Sequence, residues 1–114
     1  MKTKTPLIVA GSLLFALAGM APVHAAVDAA QAEASLKSNK CAKCHSVDKD
    51  KTGPAFKKIA AKYKGKADAE ASIIKNLTTG PKHKSDDGSE EEHVIIKTKD
   101  EAELKNLAQW ILSQ

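Results

Sequence analysis

The chain has 114 residues, enough for one small domain and too few for two. It is 42% hydrophobic but only 4% aromatic, and 28% charged, so a core made from its own large side chains would be thin. All eighteen basic residues are lysine; without the bidentate guanidinium fork that grips phosphates and bases, a nucleic-acid partner is excluded despite the net charge of +4.

Lys2 and Lys4 precede an apolar run over residues 7–18, which is followed by Gly19, Pro22 and the small-residue pattern Val23-His24-Ala25. This order predicts a secretory signal peptide over residues 1–25, with the domain proper over 26–114. The rival reading, an uncleaved anchor, suffers from length. The apolar run is about twelve residues, against the roughly twenty needed to cross a bilayer, so no stable membrane insertion is expected. Without its first 25 residues the domain keeps Phe56, Tyr63 and Trp110 as its only large rings. Domains below about 80 residues seldom reach stability on apolar burial alone, and this one is barely longer. Something other than side chains should fill its centre.

The two cysteines supply a candidate. They stand in Cys41-Ala42-Lys43-Cys44-His45, the C-x-x-C-H signature of covalent c-type haem attachment. Two thiols three positions apart can add to the two vinyl groups of one haem, and the next residue brings an imidazole to the iron. A thioredoxin-like pair would need a βαβ context, and a zinc site would need two more thiols or placed imidazoles; a structural disulfide is the remaining alternative. Export agrees with haem attachment, since c-type maturation takes place outside the cytoplasm.

The rest of the domain reads as helices joined by loops. Residues 28–39 are rich in alanine, with Leu36 near the end, and lead into the cysteine motif. Over 55–64, Phe56, Ile59, Ala60 and Tyr63 recur at i, i+3, i+4 and i+7, one apolar face of a helix. Residues 68–79 repeat the pattern through Ala69, Ile73 and Leu77, and Gly80-Pro81 ends it. The last helix opens at Asp100, with Glu103 completing a capping box, and buries Leu104, Leu107, Ala108 and Ile111. No hairpin is expected. Val94-Ile95-Ile96 reads as extended chain against the haem rather than a paired strand.

Leu36, the Cys41-x-x-Cys44-His45 motif, Gly53-Pro54-Ala55-Phe56, the Lys-Tyr-Lys-Gly turn ending at Gly65, and a final helix with Leu107 and Trp110 together resemble a small bacterial class I cytochrome c. The resemblance covers almost the whole domain. It implies an all-α fold, about four helices around one covalent haem c, with the first and last helices crossing near Leu36 and Trp110. It also implies that the Pro54 carbonyl accepts a hydrogen bond from His45 Nδ1, which orients the ring and enriches it in electrons. A monomeric periplasmic carrier follows, trading electrons with redox proteins such as outer- or inner-membrane cytochromes, in a respiratory or Fe(II)-oxidising chain.

One departure from the family is consequential. Its members usually place a methionine on the loop before the last helix as the second axial ligand. Here the only methionines, Met1 and Met20, lie within the expected signal peptide. The loop offers His83 and His93 instead. His93 lies seventeen residues before Trp110, within one residue of the family's methionine position, whereas counting forward from Asn76 puts that position near Asp87, slightly nearer His83. The loop therefore carries an insertion within residues 82–92. We take the count from the final helix and expect His45 and His93 as iron ligands, with His83, or an open, water-bound or lysine-bound iron, as the alternatives.

The acidic run over residues 86–92 reads as a solvated loop or, with His83 and His93, as a site for a divalent cation. Charge is also segregated along the chain. Residues 37–66 carry a net +8 and residues 68–103 a net −5, a pattern that would orient a diffusing partner if it persists in space. Two functions are in play. One is a one-electron carrier without catalytic residues, its iron saturated by two imidazoles; the other is a ligand-binding or peroxidatic haem protein with a labile sixth position.

Overall fold

The computed structural model describes residues 26–85 and 87–114. The expected signal segment and Asp86 lie outside the described residues. Four helices carry the domain: α1 (Ala29–Ser38), α2 (Phe56–Tyr63), α3 (Ala69–Thr79) and α4 (Glu101–Leu112). A single 3₁₀ turn, Cys41–Lys43, follows α1 directly. None of the helices is long enough to be stable alone, since isolated helices below about 12–15 residues are marginal in water. Packing has to hold them.

α1 starts where Asp28 accepts a hydrogen bond from the Gln31 backbone N–H at 2.9 Å. It lies against α4, where Ala32 and Ala108 are both fully buried and their small side chains permit close approach. Two polar clamps flank this contact. The Asn106 amide accepts from the Asp28 N–H at 2.7 Å and donates to the Asp28 carbonyl at 2.8 Å. Glu103 accepts from Ser35 Oγ at 2.8 Å and from Thr98 Oγ1 at 2.9 Å. The expected capping box is thus half realised: Asp100 caps the Ala102 and Glu103 N–H groups, but the Glu103 carboxylate reaches across to α1.

α2 and α3 pack on α4 through the predicted faces. Phe56, Ile73, Leu77, Leu104, Leu107 and Trp110 are all buried, and Phe56 meets Trp110 edge to face with ring centres 5.5 Å apart. Gly80 ends α3 in a left-handed conformation, φ +58.

The loop after α3 differs from expectation. It is a hairpin, β1 (Lys82–Lys84) paired antiparallel with β2 (Glu90–Glu92), so that Lys82 faces Glu92, His83 faces Glu91 and Lys84 faces Glu90. The strands hold no β-branched or aromatic residue, so pattern reasoning passed over them. Lysines stand opposite glutamates in the register, and the turn between the strands is tight, with Gly88 at φ +84 and its N–H donating to the Ser85 carbonyl at 2.9 Å. Val94-Ile95-Ile96 is unpaired, as expected. Ile96 is buried, and its N–H caps the Leu77 carbonyl at the end of α3, at 2.8 Å. No helix among the described residues is long and apolar enough to cross a membrane.

Candidate haem site

The helices leave a cavity of about 510 Å³ between them, within the usual range of ligand pockets, about 300–1,000 Å³. Its walls are largely apolar, from Leu36, Phe56, Ile59, Ile73, Leu77 and Ile111. Cys41, Cys44, His45 and Pro54 enter from one side; His83, His93 and Val94 also reach it. A flat apolar group carrying a metal fits this combination of thiols, imidazoles and greasy walls.

The cysteine motif is held open by its local backbone. α1 ends at Asn39, and Lys40 takes a left-handed conformation, φ 59, that turns the chain into the 3₁₀ turn. The Cys44 and His45 N–H groups both donate to the Cys41 carbonyl, and Lys51 Nζ donates to the Ala42 carbonyl at 2.6 Å. Neither cysteine is in a disulfide, which removes that alternative. Burial pushes the Cys41 thiol up from its ordinary value, a backbone hydrogen bond opposes this, and Cys44 adds to it. A neutral thiol is a poor partner for disulfide exchange.

His45 sits where the resemblance placed it. Its Nδ1 lies 2.7 Å from the Pro54 carbonyl; a carbonyl can only accept, so Nδ1 carries the proton and Nε2 keeps a free lone pair. The ring stacks on Phe56 at 5.2 Å. Gly53 makes room for it: a Cβ there would stand 2.6 Å from Cε1 and 2.9 Å from Nδ1 of His45. Gly53→Ala should therefore push the ring off the Pro54 carbonyl. Overpacking of this kind costs about 1–3 kcal/mol, and about 4–8 °C of Tm per kcal/mol in a domain of this size. Thermal melts and the reduction potential check it; a variant matching wild type in both would contradict the crowding.

His93 approaches from the hairpin. Its N–H donates to the Pro81 carbonyl at 3.1 Å, and its Nδ1 lies 2.9 Å from the Val94 carbonyl, again leaving the Nε2 lone pair free. Gly80 permits this placement, since a Cβ there would stand 2.8 Å from the His93 carbonyl oxygen. Burial holds the His93 imidazole below its ordinary pKa; the Val94 carbonyl opposes this, and repulsion from His45 and His83 adds to it. The ring is accordingly neutral at pH 7, the state that binds a metal. The His45 and His93 ring centres are 6.0 Å apart. Two metal–nitrogen bonds of about 2 Å would separate the ring centres by roughly that distance.

His83 is the third imidazole, its ring centre 6.4 Å from that of His93. The hairpin explains why the two counts along the chain disagreed: its ends meet, so residues ten positions apart reach the same wall. Unlike the other two, His83 has its Nδ1 buried with no hydrogen-bond partner. An N–H left there would be an unsatisfied donor, costing about 1–3 kcal/mol. Binding a metal through Nε2 would put a proton on that Nδ1, a cost that His45 and His93 do not meet because each has a carbonyl beside its Nδ1. Sequence reasoning had no signal for this, because it depends on which carbonyls lie near each ring.

Among the described residues no group of three or more His, Cys, Asp or Glu side chains is gathered that could hold a metal ion, and Glu90, Glu91 and Glu92 are all exposed. Asp87 turns instead to Ser89, accepting from its hydroxyl and its N–H, which hold its carboxyl below the ordinary value. Lys40, Lys58 and Lys62 line the cavity, so the basic segment does lie beside the site.

Four helices around a cavity edged by a C-x-x-C-H turn and facing imidazoles define a covalent-haem protein. Comparison with known proteins agrees. The family described as cytochrome c matches residues 29–114, and the chain belongs to it. It is 34% identical over 93 residues to cytochrome c-551 of Pseudomonas aeruginosa, covering 72% of this chain and 75% of that one. To cytochrome c-552 of Nitrosomonas europaea it is 38% identical over 85 residues, covering 74% and 80%. Among solved structures, the class 1 cytochrome MtoD from Sideroxydans lithotrophicus ES-1 is 53% identical with a TM-score of 0.74, covering 77% of this chain and 97% of that one. Wild-type Nitrosomonas europaea cytochrome c552 is 32% identical with a TM-score of 0.56, covering 71% and 96%. The fold is that of class I cytochromes c, the cofactor is one covalent haem c, and the protein is a monohaem electron carrier.

Proposed function

We propose that this cytochrome is a periplasmic shuttle whose iron is held by His45 and His93, exported by removal of residues 1–25, and that it performs no chemistry on substrates. The observation that carries the ligand pair is the matched disposition of the two rings: each gives its Nδ1–H to a backbone carbonyl and keeps Nε2 for a metal, with centres 6.0 Å apart. Haem c, when bound, supplies a one-electron couple. The chain's own residues do the rest. Cys41 and Cys44 tether the group, and the Pro54 and Val94 carbonyls fix the ring tautomers. The apolar walls exclude water. Lys40, Lys58 and Lys62 give the cavity a basic border that favours an acidic redox partner, such as a membrane-associated cytochrome of a respiratory or Fe(II)-oxidising chain.

Carbon monoxide tests the absence of ligand chemistry. The reduced holoprotein should keep its absorption spectrum under CO, because both axial positions are taken. A CO adduct at equilibrium would replace this reading with that of a ligand-binding haem protein.

A further inference from the structure

Asp48 and Asp50 are the two acids in the lysine-rich stretch over residues 37–66, and each holds a lysine, Lys57 and Lys58 respectively. Asp50 has a further contact. Its Oδ1 accepts the Ala55 backbone N–H at 2.9 Å, and Ala55 is buried, so the carboxylate satisfies a donor that would otherwise be orphaned in the protein. Its place is fixed from two sides. Asp50 pairs with His45 in an isolated antiparallel bridge, and Lys58 Nζ grips its other oxygen, Oδ2. A carboxylate paired in this way carries a full negative charge at neutral pH.

The Ala55 N–H and the Pro54 carbonyl belong to one peptide group, and that carbonyl is the acceptor 2.7 Å from His45 Nδ1. The resonance that keeps a peptide planar also joins its two ends. An acceptor drawing on the N–H moves electron density onto the carbonyl oxygen, so bonds in such a chain strengthen one another, by about 10–30% each. A full negative charge thus stands at one end of a hydrogen-bond chain, and the imidazole of the C-x-x-C-H motif at the other. We infer that Asp50 is a positioning residue for His45: it fixes the 54–55 peptide and, through that peptide, makes the imidazole a stronger electron donor. The inference rests on the reading of His45 as an iron ligand. Its consequence is a lower potential, because a better donor favours Fe(III).

The test uses the holoprotein and three variants, Asp50→Ala, Asp50→Asn and Asp48→Asn. Reduction potential, Tm and the proton NMR resonance of His45 Nδ1–H in the reduced state are read on each. Asp50→Ala should raise the potential enough to lower the oxidised-to-reduced ratio about two- to threefold at a fixed solution potential. It should also move the Nδ1–H resonance upfield, as a weaker hydrogen bond does. Asparagine keeps an acceptor for the Ala55 N–H and loses the charge; a neutral bond is about half as strong as a charge-assisted one, so Asp50→Asn should show about half of each change. Asp48→Asn removes a charge from a carboxylate paired with Lys57 and should leave the Nδ1–H resonance at its wild-type position. An unmoved potential and resonance in Asp50→Ala, with or without a fall in Tm, would reduce Asp50 to a tie within its loop and overturn the inference. So would equal changes for alanine and asparagine at position 50, or for Asp50→Asn and Asp48→Asn, which mark charge alone. Wild-type His45 ring protons without the upfield ring-current shifts of an axial ligand would overturn the ligand assignment itself, a separate failure with its own signature.

Discussion

Replacing His93 with alanine should turn the ferric iron from low-spin to high-spin or water-bound, and added imidazole should restore the low-spin spectrum. The size of the change follows from the wall it leaves behind. His83 is the nearest substitute, but using its Nε2 as a ligand would force the proton onto a buried Nδ1 that has no acceptor. His93 meets no such penalty, because the Val94 carbonyl takes its Nδ1 proton. His93→Met should act in the other direction on potential: imidazole stabilises Fe(III) relative to a thioether, so methionine should raise it. Absorption and EPR spectra of the two variants, with a redox titration of His93→Met, check both statements. A low-spin His93→Ala protein, indistinguishable from wild type, would show that another residue holds the iron.

Cys44→Ser or Cys41→Ser should cost the fold as well as the cofactor. The helices are eight to twelve residues long, and Ile59, Ile73, Leu77 and Ile111 turn apolar surface to a cavity of about 510 Å³. Without tethered haem that surface faces water or collapses, and the buried core of Leu107, Trp110 and their neighbours has to carry the domain alone. A loss of even 2 kcal/mol shifts the folded-to-unfolded ratio by about thirtyfold. Recovery of folded protein should fall accordingly, with circular dichroism and a thermal melt as the readouts. A haem-free serine variant that remains helical and melts cooperatively would contradict the role of the cofactor as core.

Much of this was legible in the sequence because the relevant signals are local. Phe56, Ile59 and Tyr63 share one helix face by periodicity alone, Asp100 marks the start of α4, and Gly80 the end of α3. The C-x-x-C-H motif fixes the proximal side through spacing. His93 was singled out by counting back from Trp110, on α4 a short way past the loop. The hairpin escaped because lysine, histidine and glutamate carry no strand pattern; only the opposed charges and the Asp-Gly turn hint at it. The polar links of Glu103 to Ser35 and Thr98 were equally hidden, since a helix-capping glutamate reads the same whether it closes its own box or reaches across to another helix. The contrast between His83 and His93 is the clearest case. Both are loop histidines in sequence, and only the structure sets the Val94 carbonyl beside one ring and leaves the Nδ1 of the other without a partner.

The spectrum of the oxidised and reduced wild-type holoprotein tests the ligand pair most directly. Low-spin iron in both states, bis-imidazole g-values in the ferric EPR spectrum and no methionine–iron charge-transfer band are the expected results. A high-spin ferric signal, in protein that is otherwise folded and carries one covalent haem, would contradict ligation by His45 and His93.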